Sequence, residues 1–380
     1  MSAKRILFVV TEDWYFWSHR RQLASAALQA GWQVGLATHV TEYQQRIAAL
    51  GVKVYPLPWD RGALNPLKEA RTALALAHAM RHFEPSIVHN VALKPILHNV
   101  WYPRRARVIN AVTGLGYVFI DGDRAGQGKS ARRSWLQRVV RIALRRALSR
   151  NGAHTVVQNS DDAQIVESLG VTPERLHLIE GVGVDLGDYQ PFAEPPGPIR
   201  VALVARMLWD KGVQEAVDAA RYLRSRDVNV IVELVGAPDP ANRASVSQAQ
   251  LERWRSEGLI EWNGWSDDVR SVWQRAHIAI LPSYREGFPK ALIEAAACGR
   301  ALIATDTPGC RAIVEPGHNG ELVICRDAAS LAGAIEKLAS DHELRQRYGA
   351  NARETVARRF GLPVIVERFH ALYRSLEVMP

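Results

Sequence analysis

Residues 281–309, LPSYREGFPKALIEAAACGRALIATDTPG, predict the end of a strand, a tight loop, a helix and a second buried strand. The apolar run stops at Pro282, and Pro289 occupies the place of a first helical residue. The predicted helix ends at Gly299. A loop that opens on a helix N-terminus favours an anion, because free backbone N–H groups and the helix dipole point outward there. The stretch therefore predicts an α/β unit with an anion site in its loop.

The same alternation of apolar runs and amphipathic helical runs continues along the whole chain. Seven strand-like runs precede the proline-rich segment QPFAEPPGPIR, and six more follow it. Buried strands that alternate with helices predict right-handed crossovers and a parallel sheet. The expected fold class is α/β, with two doubly wound Rossmann-like domains whose ligand sites face a central cleft.

The proline-rich segment sets the expected domain boundaries. We place a first domain at residues 1–190, a linker at 191–198, a second domain at 199–360 and a C-terminal helix at 361–380. Four prolines within eight residues favour a linker, because proline ends both helices and central strands.

The excess of basic residues is concentrated in one segment. Lys and Arg number 48 against 39 Asp and Glu, for a net charge of +9, and eight basic residues with no acidic one lie between Lys129 and Arg150. A helical wheel puts Arg138, Arg141 and Arg145 on one face. The opposite, apolar face contains Leu136, Val139, Val140, Ala143 and Ala147. Such a helix is typical of a membrane surface, or of a sheet-packing helix with a solvated arginine face.

Several absences favour a cytoplasmic protein without a metal. The start, MSAKRILFVV, enters a strand without the apolar run of a signal peptide, and no run approaches twenty apolar residues. The three cysteines lack CxxC spacing and are expected to be reduced thiols. Asp121-Gly-Asp123 imitates a metal-binding pair, but no neighbouring histidine or carboxylate cluster completes it. We expect no metal and no cofactor.

Two cations open the second domain in the run VARMLWDKG. Arg206 closes a strand, and Lys211 follows five residues later at a helix start. A guanidinium fork and an ammonium point charge suit a diphosphate, although a solvated helix N-terminus would also contain such residues. Glu286 and Glu294, both within residues 281–309, lie eight residues apart. Glu286 is in the predicted loop, and Glu294 is two turns along the predicted helix.

The spacing Arg206-x4-Lys211 followed by Glu286-x7-Glu294 resembles the retaining GT-B glycosyltransferases of family 4. The runs VTEDWYFWSHR, VALKP, VTGLGYVF, GVGVD and LPSYREGFP extend the similarity over nearly the whole chain. Within that family the chain is most similar to bacterial enzymes that extend polyprenyl-diphosphate-linked sugars, of the N-acetylgalactosaminyltransferase type. The resemblance implies a GT-B fold whose C-terminal helix packs back on the first domain, with a hinge at residues 181–185.

The resemblance also implies the donor and the residues that bind it. The donor would be a nucleoside-diphosphate sugar, with UDP favoured over GDP. Arg206 and Lys211 would neutralise its diphosphate, Glu286 would reach hydroxyls of the transferred sugar, and Glu294 would accept hydrogen bonds from the ribose. The other donor-binding residues would be Gly236, Trp265, Ser266, Asp267, Gly287, Phe288, Pro289, Lys290 and Ala291.

The first domain would then bind a polyprenyl-diphosphate-linked saccharide. His19 and Arg20 lie at a predicted helix start after the first strand, and Lys94 follows the fourth strand, so both groups lie where a cleft opens. A structural role for His19 is an equal alternative. Many relatives have a histidine in the loop where this chain has Thr113. A lipid-linked acceptor favours contact between Arg138, Arg141 and Arg145 and the anionic inner face of the cell membrane.

Two other functions fit parts of this pattern. A nucleotide-sugar epimerase could share the fold, but it needs two acid/base residues that the sequence does not reveal. A basic nucleic-acid-binding regulatory protein would fit the pI of 9.6. We expect no nucleic acid, because the charge is confined to one helix and no basic groove interleaved with aromatic residues appears. The prediction is a retaining, metal-independent hexosyltransferase of bacterial glycan biosynthesis, peripheral on the membrane.

Overall fold

The computed structural model describes residues 4–59, 66–98, 106–115, 131–150 and 152–378. Contacts between Cα atoms divide the chain into two compact units. Unit 1 comprises Met1–Val182 and Ile365–Pro380, and unit 2 comprises Gly183–Val364.

Unit 1 is built around a seven-stranded parallel sheet with the strand order β3-β2-β1-β4-β5-β6-β7. Its strands are β1 Arg5–Glu12, β2 Gln33–His39, β3 Lys53–Pro56, β4 Ile87–Val91, β5 Arg107–Val112, β6 Ala153–Val157 and β7 Leu176–Leu178. Its helices are α1 Asp13–His19, α2 Arg21–Gln29, α3 Gln44–Ala48, α4 Pro66–Phe83, α5 Leu93–His98, α6 Ala131–Leu148 and α7 Ser160–Ser168. The parallel sheet predicted from the alternating pattern is confirmed.

Both faces of this sheet are covered by helices, because alternate side chains of each strand point to opposite faces. Phe8 of β1 packs with α2 on one face, and Leu7 of the same strand packs with α4 on the other. Apolar side chains bury both faces, which explains why the strands are near-continuous apolar runs in the sequence.

The C-terminal helix α15, Leu362–Val378, completes the core of unit 1. Phe369 and Tyr373 are buried there, and the Tyr373 hydroxyl lies 2.8 Å from Nδ1 of His89 on β4. The expectation that this helix packs back on the first domain is confirmed.

Unit 2 contains a six-stranded parallel sheet with the strand order β10-β9-β8-β11-β12-β13. Its strands are β8 Ile199–Val204, β9 Val230–Val235, β10 Glu261–Trp262, β11 Ile278–Leu281, β12 Ala301–Thr305 and β13 Gly320–Val323. Its helices are α8 Val213–Ser225, α9 Gln248–Ser256, α10 Val269–Arg275, α11 Lys290–Ala297, α12 Pro308–Arg311, α13 Ala328–Ser340 and α14 His342–Arg359.

The proline-rich segment 191–198 belongs to unit 2 rather than lying between the units. Phe192 packs on a unit 2 core cluster, and its carbonyl oxygen accepts a hydrogen bond from Arg300 at 2.6 Å. The carbonyl oxygen of Pro195 lies 3.0 Å from Nε2 of His277. The division falls instead between Val182 and Gly183. The carbonyl oxygens of Phe192 and Pro195 are thus both held by buried unit 2 side chains.

Candidate active site

The candidate donor residues follow three neighbouring strands of unit 2. β8 lies between β9 and β11, so the direction in which strands are added to the sheet reverses there. Arg206 and Lys211 follow β8. Gly236 follows β9, and Glu286 follows β11. Doubly wound sheets bind ligands at the carboxyl ends of strands where the order reverses. The structure therefore places these residues at the edge of the sheet where a ligand is expected.

Lys211 and Glu286 form an ion pair, with 2.5 Å between Nζ and Oε1. Lys211 ends a short 3-10 turn, and the following Gly212 precedes α8 in the left-handed conformation, with φ of 73°. A Cβ atom at position 212 would lie 2.1 Å from the carbonyl oxygen of Pro282. Glycine is needed because the loops after β8 and β11 touch at this point. That contact brings together two side chains that were expected to bind different parts of the donor.

Arg206 is also paired with a carboxylate. Its Nη1 donates to Oδ2 of Asp239 at 2.7 Å, and Asp239 lies in the loop after β9. The backbone N–H of Asp239 in turn donates to the Ser245 hydroxyl at 2.9 Å, which fixes that loop. Each of the two predicted diphosphate cations therefore has a protein carboxylate as counter-ion. The carboxylate of Asp239 comes from the loop after β9, and that of Glu286 comes from the loop after β11.

The N-terminus of α11 lies directly after the Glu286 loop. Pro289 is the N-cap residue, and its side chain makes no capping hydrogen bond. Among the described residues, the backbone N–H groups of Phe288, Lys290 and Ala291 have no hydrogen-bond acceptor. The first N–H groups of a helix have no acceptor within the helix, and the helix dipole adds partial positive charge at this end. This helix end can thus accept an anion such as phosphate.

Glu294, one turn along α11 from Lys290, is held through a single oxygen. The Tyr189 hydroxyl donates to Oε1 at 2.7 Å, and Lys290 Nζ lies 2.7 Å from the same atom. Burial, together with the charge of Glu294, raises the pKa of Tyr189 far above its ordinary value, so the phenol stays protonated and donates. No described residue donates to Oε2. The second oxygen remains available as an acceptor for hydroxyl groups.

The loop after β10 lies beside Gly236. The Gly236 N–H donates to the carbonyl of Gly264 at 2.7 Å, and the Trp262 indole donates to the Gly236 carbonyl at 2.9 Å. Trp265 is exposed, and its indole N–H donates to Oδ1 of Asp267 at 3.0 Å. The intervening Ser266 donates to the Asp268 carbonyl at 3.1 Å. An exposed indole in a hydrogen-bonded loop provides an apolar face of the kind on which a nucleobase can stack.

In unit 1 the predicted acceptor residues differ in exposure. Arg20 is only 2% exposed, and burial lowers its pKa below the ordinary value for arginine. It lies at a helix start, as expected, because it is both the C-cap residue of α1 and the N-cap residue of α2. His19 is half-buried and stacks on Tyr15, with ring centroids 4.2 Å apart. Burial turns Arg20 away from solvent, so His19 is the member of this pair that a ligand can reach.

Lys94 lies at the carboxyl edge of the unit 1 sheet, where β4 neighbours β1. Its Nζ is 2.9 Å from Oε1 of Glu69 on α4, and His98 Nε2 is 2.9 Å from the other oxygen. Burial opposes ionisation of Glu69, but the hydrogen bonds from Lys94 and His98 outweigh it and hold the pKa of Glu69 below its ordinary value. Thr113, directly after β5, is half-buried at the same edge.

Comparison with protein families covers both units. The family described as glycosyl transferases group 1 matches residues 188–355, and the family described as glycosyl transferase 4-like matches residues 5–151. The matches fall on the two doubly wound units and include the Lys211–Glu286 pair. The chain is a GT-B glycosyltransferase of these families.

Individual relatives of the glycosyltransferase agree with this assignment. It is 28% identical to the N,N'-diacetylbacillosaminyl-diphospho-undecaprenol alpha-1,3-N-acetylgalactosaminyltransferase of Campylobacter jejuni, over 87% of this chain and 88% of the relative. Its fold matches sucrose-phosphate synthase from Thermosynechococcus elongatus with a TM-score of 0.80, at 20% identity over 98% of this chain and 99% of the other. HepE of Anabaena, solved with UDP and glucose, matches with a TM-score of 0.76 at 16% identity. The match covers 98% of this chain and 99% of HepE.

Two side chains of the glycosyltransferase site were not found by sequence reasoning. Tyr189 is 105 positions before Glu294, and Asp239 is 33 positions after Arg206. Neither has a fixed local spacing to its partner. Asp239 has a weak signal, since it lies in the loop after β9 beside the predicted Gly236.

The basic helix α6 is oriented differently from the prediction. Among the described side chains of α6, residues 138–148, Leu144, Ala147 and Leu148 are buried, whereas Val139 is 40% exposed. The expected apolar face was therefore partly wrong, because a larger leucine pair further along the helix sets which side packs on the sheet. Arg138, Arg141 and Arg145 are exposed, as the helical wheel indicated.

The described residues also bear on membrane insertion and on metal binding. None of their helices is long and apolar enough to cross a membrane. They contain no group of three or more His, Cys, Asp or Glu side chains that could hold a metal ion. The Asp121-Gly-Asp123 pair lies outside the described residues.

Proposed function

We propose that the glycosyltransferase moves a hexose or N-acetylhexosamine from a nucleoside-diphosphate sugar, preferably UDP-linked, to a polyprenyl-diphosphate-linked saccharide. Transfer would retain the anomeric configuration and use no metal, in bacterial glycan biosynthesis at the inner face of the cell membrane. The acceptor class is taken from the Campylobacter jejuni relative, whose name specifies a diphospho-undecaprenol-linked substrate. The nucleotide is taken from the HepE complex with UDP.

The observation that carries this proposal is the Lys211–Glu286 pair beside the N-terminus of α11. One side of the pair is a cation and the other a carboxylate, so it suits a ligand with a phosphate next to a hydroxylated ring. Lys211 would contact the diphosphate while Glu286 accepts a hydrogen bond from a sugar hydroxyl. Both side chains keep their short contact with each other, which orients them before the donor arrives.

Departure of the sugar leaves negative charge on the β-phosphate. Arg206, Lys211 and the α11 N–H groups would stabilise that charge where it develops. Two cations and a helix dipole supply the positive charge that a divalent metal supplies in other phosphate sites, so the site does not require one. The departing phosphate oxygen would take the acceptor proton, and attack on the same face of the sugar gives retention.

The acceptor would bind on unit 1 at the edge that contains His19, Lys94 and Thr113. The ion pair with Glu69 holds the Lys94 ammonium beside the first turn of α4, at the carboxyl edge of the unit 1 sheet. A diphosphate carrying a lipid would meet this cation, and the half-buried Thr113 would contact the saccharide. Arg20 is left out of this proposal because it is buried.

Loss of the Glu294 carboxylate is expected to weaken nucleotide binding with little effect on folding. Saturating UDP adds about 2.7 kcal/mol of stability at 100 times its Kd. In Glu294→Ala the loss of charge-assisted hydrogen bonds to the ribose should raise the UDP Kd roughly 10- to 150-fold. The measurement is a thermal-shift titration with UDP, UDP-sugars and GDP.

Tyr189→Phe serves as the graded comparison for this experiment. It keeps the carboxylate but removes the hydroxyl that holds Oε1, so its UDP Kd should lie between wild type and Glu294→Ala. An unchanged Kd in Glu294→Ala would contradict the ribose role. A wild-type protein stabilised by none of the nucleotides would contradict the proposed donor class.

Substitution of the three exposed arginines of α6 is expected to release the protein from anionic vesicles. Each arginine near an anionic leaflet contributes about 1 kcal/mol, so replacing Arg138, Arg141 and Arg145 by glutamine should weaken partitioning roughly a hundredfold. Sedimentation with vesicles of phosphatidylcholine and phosphatidylglycerol measures the effect.

The matched control replaces the same three arginines by lysine, which keeps the charge and should keep the binding. Undiminished sedimentation of the glutamine variant would rule out α6 as a membrane contact.

A further inference from the structure

Helix α4 exposes an apolar and basic stripe that the proposed chemistry does not use. Leu67 and Leu74 are 75% and 70% exposed, the highest values among the exposed large apolar side chains of the described residues. They lie two turns apart on the same side of the helix, and the exposed Arg71 lies between them. The exposed Arg81 continues the stripe two turns further on. Two leucines this exposed on one side of a helix provide apolar surface that an apolar partner would bury.

The exposed charged side chains of α4 are all basic. Lys68, Arg71 and Arg81 are exposed, whereas the only acidic residue of α4, Glu69, is half-buried and paired with Lys94 and His98. The exposed side of α4 therefore presents cations and leucines without a carboxylate.

Helices α4 and α6 cover the same face of the unit 1 sheet. Met80 of α4 packs in the cluster that contains Val108 of β5, and Leu144 of α6 packs in the cluster that contains Val112 of the same strand. Residues four apart along a strand point to the same face. The sides of α4 and α6 that point away from the sheet therefore face the same side of unit 1.

The exposed side of α6 has the same composition as that of α4. Val139 and Ile142 are 40% and 47% exposed and lie among exposed arginines. A groove of about 530 Å³ runs beside this helix. It is lined by Ile142, Arg145, Arg146, Ser149 and Gly170. Guanidinium groups next to an aliphatic side chain match the boundary between lipid headgroups and acyl chains.

We define the α4–α6 face as the exposed lysine, arginine, leucine, isoleucine and valine residues of the two helices. Its members are Leu67, Lys68, Arg71, Leu74, Arg81, Arg138, Val139, Arg141, Ile142, Arg145 and Arg146. We propose that this face docks on an anionic lipid bilayer and that Leu67 and Leu74 insert into it as apolar anchors. The inference rests on and deepens the proposed use of a lipid-linked acceptor, and it adds a second helix to the contact.

Charge and position favour a bilayer as the occupant. A cationic face with protruding aliphatic side chains is complementary to anionic headgroups above acyl chains. Nucleic acid would instead use aromatic stacking, and the described side chains of α4 and α6 include no exposed Phe, Tyr or Trp. α4 begins beyond β3 at the carboxyl edge of the sheet, and its Glu69 is 2.9 Å from Lys94. Leu67 thus lies at the end of α4 where the lipid of a bound acceptor would enter the bilayer.

The test compares two double variants of the full-length protein in vesicle sedimentation. Leu67→Ser with Leu74→Ser should weaken partitioning into phosphatidylcholine–phosphatidylglycerol vesicles roughly ten- to a hundredfold, because two leucines lose part of their burial in lipid. The matched control, Leu178→Ser with Ile324→Ser, removes two exposed apolar side chains outside the face and should bind as wild type. All four positions are exposed, so melting temperatures should stay unchanged.

Three outcomes would overturn the proposal. The Leu67/Leu74 variant could sediment as wild type, the control pair could lose binding equally, or wild type could bind duplex DNA or RNA more tightly than vesicles at the same salt concentration. Transfer to a detergent-solubilised polyprenyl-diphosphate sugar is measured in parallel. The Leu67/Leu74 variant should keep that activity, and absence of transfer in wild type would contradict the proposed function while leaving the docking result valid.

Discussion

Lys211→Ala should lower turnover of the glycosyltransferase about 10- to 150-fold, through the loss of one charge-assisted interaction of roughly 1.5–3 kcal/mol in the transition state. The reason is geometric: Lys211 is the cation that the structure holds 2.5 Å from Glu286 beside the α11 N-terminus. Negative charge on the phosphate grows as the sugar departs, so the effect should fall mainly on kcat. Steady-state kinetics with a nucleotide sugar and a detergent-solubilised acceptor would measure it.

Two comparisons make this experiment specific. Glu286→Asp keeps the carboxylate and only shortens its reach, so it should cost less turnover than Lys211→Ala. Lys337 forms a similar pair with Glu321, at 2.6 Å, on another part of unit 2, and Lys337→Ala should leave turnover unchanged. Wild-type rates in both Lys211→Ala and Glu286→Asp would remove the diphosphate role.

Gly236→Ala should destabilise unit 2 by roughly 2–5 kcal/mol, since two unfavourable effects coincide. Gly236 has φ of 146°, and a Cβ atom there would lie 1.8 Å from the carbonyl oxygen of Ala205. Backbone must move to make room, and the hydrogen bonds of Gly236 with Gly264 and Trp262 would be strained in turn. For a unit of this size the melting temperature should fall by about 5–15 °C.

Gly264→Ala is the matched control for that substitution. Gly264 also has a left-handed backbone, with φ of 70°, but a Cβ atom there would meet nothing within 4 Å. It should therefore cost only the strain of the backbone conformation, roughly 1–2 kcal/mol. Differential scanning calorimetry separates the two cases, and equal melting temperatures for the two variants would show that the close approach to Ala205 is relaxed cheaply.

The sequence predicted the strands well because both sheets are buried on both faces. Each strand is then an apolar run that helices interrupt, and such runs are visible without a structure. The edge residues after β8 and β11 could also be predicted, since the carboxyl ends of parallel strands collect at one edge. What could not be predicted was which side chains pair there. The contacts Lys211–Glu286 and Arg206–Asp239 depend on how two loops approach each other, which local spacing does not encode.

The remaining differences have the same physical origin. Arg20 lies at the predicted helix start, but the break between α1 and α2 buries its side chain in unit 1 instead of exposing it to a ligand. In α6 the helical wheel located the exposed arginines but only part of the buried side, because apolar residues cover more of the helix circumference than one stripe. Tyr189 was placed in the first domain by the predicted boundaries, but it belongs to unit 2 and donates to Glu294 there.

If Arg206 and Lys211 bind the diphosphate as proposed, their internal counter-ions have a consequence for selectivity in the cell. Asp239 and Glu286 are already at contact distance from Arg206 and Lys211, so either cation meets a small anion while it is paired with a carboxylate. Inorganic phosphate or ATP must compete with a carboxylate that is already at contact distance. The proposed donor, with its additional ribose and sugar contacts, would outcompete it, and the same carboxylates would favour escape of the spent nucleotide once the sugar has gone. Selection against wrong ligands and rapid product exchange would then share one electrostatic cause.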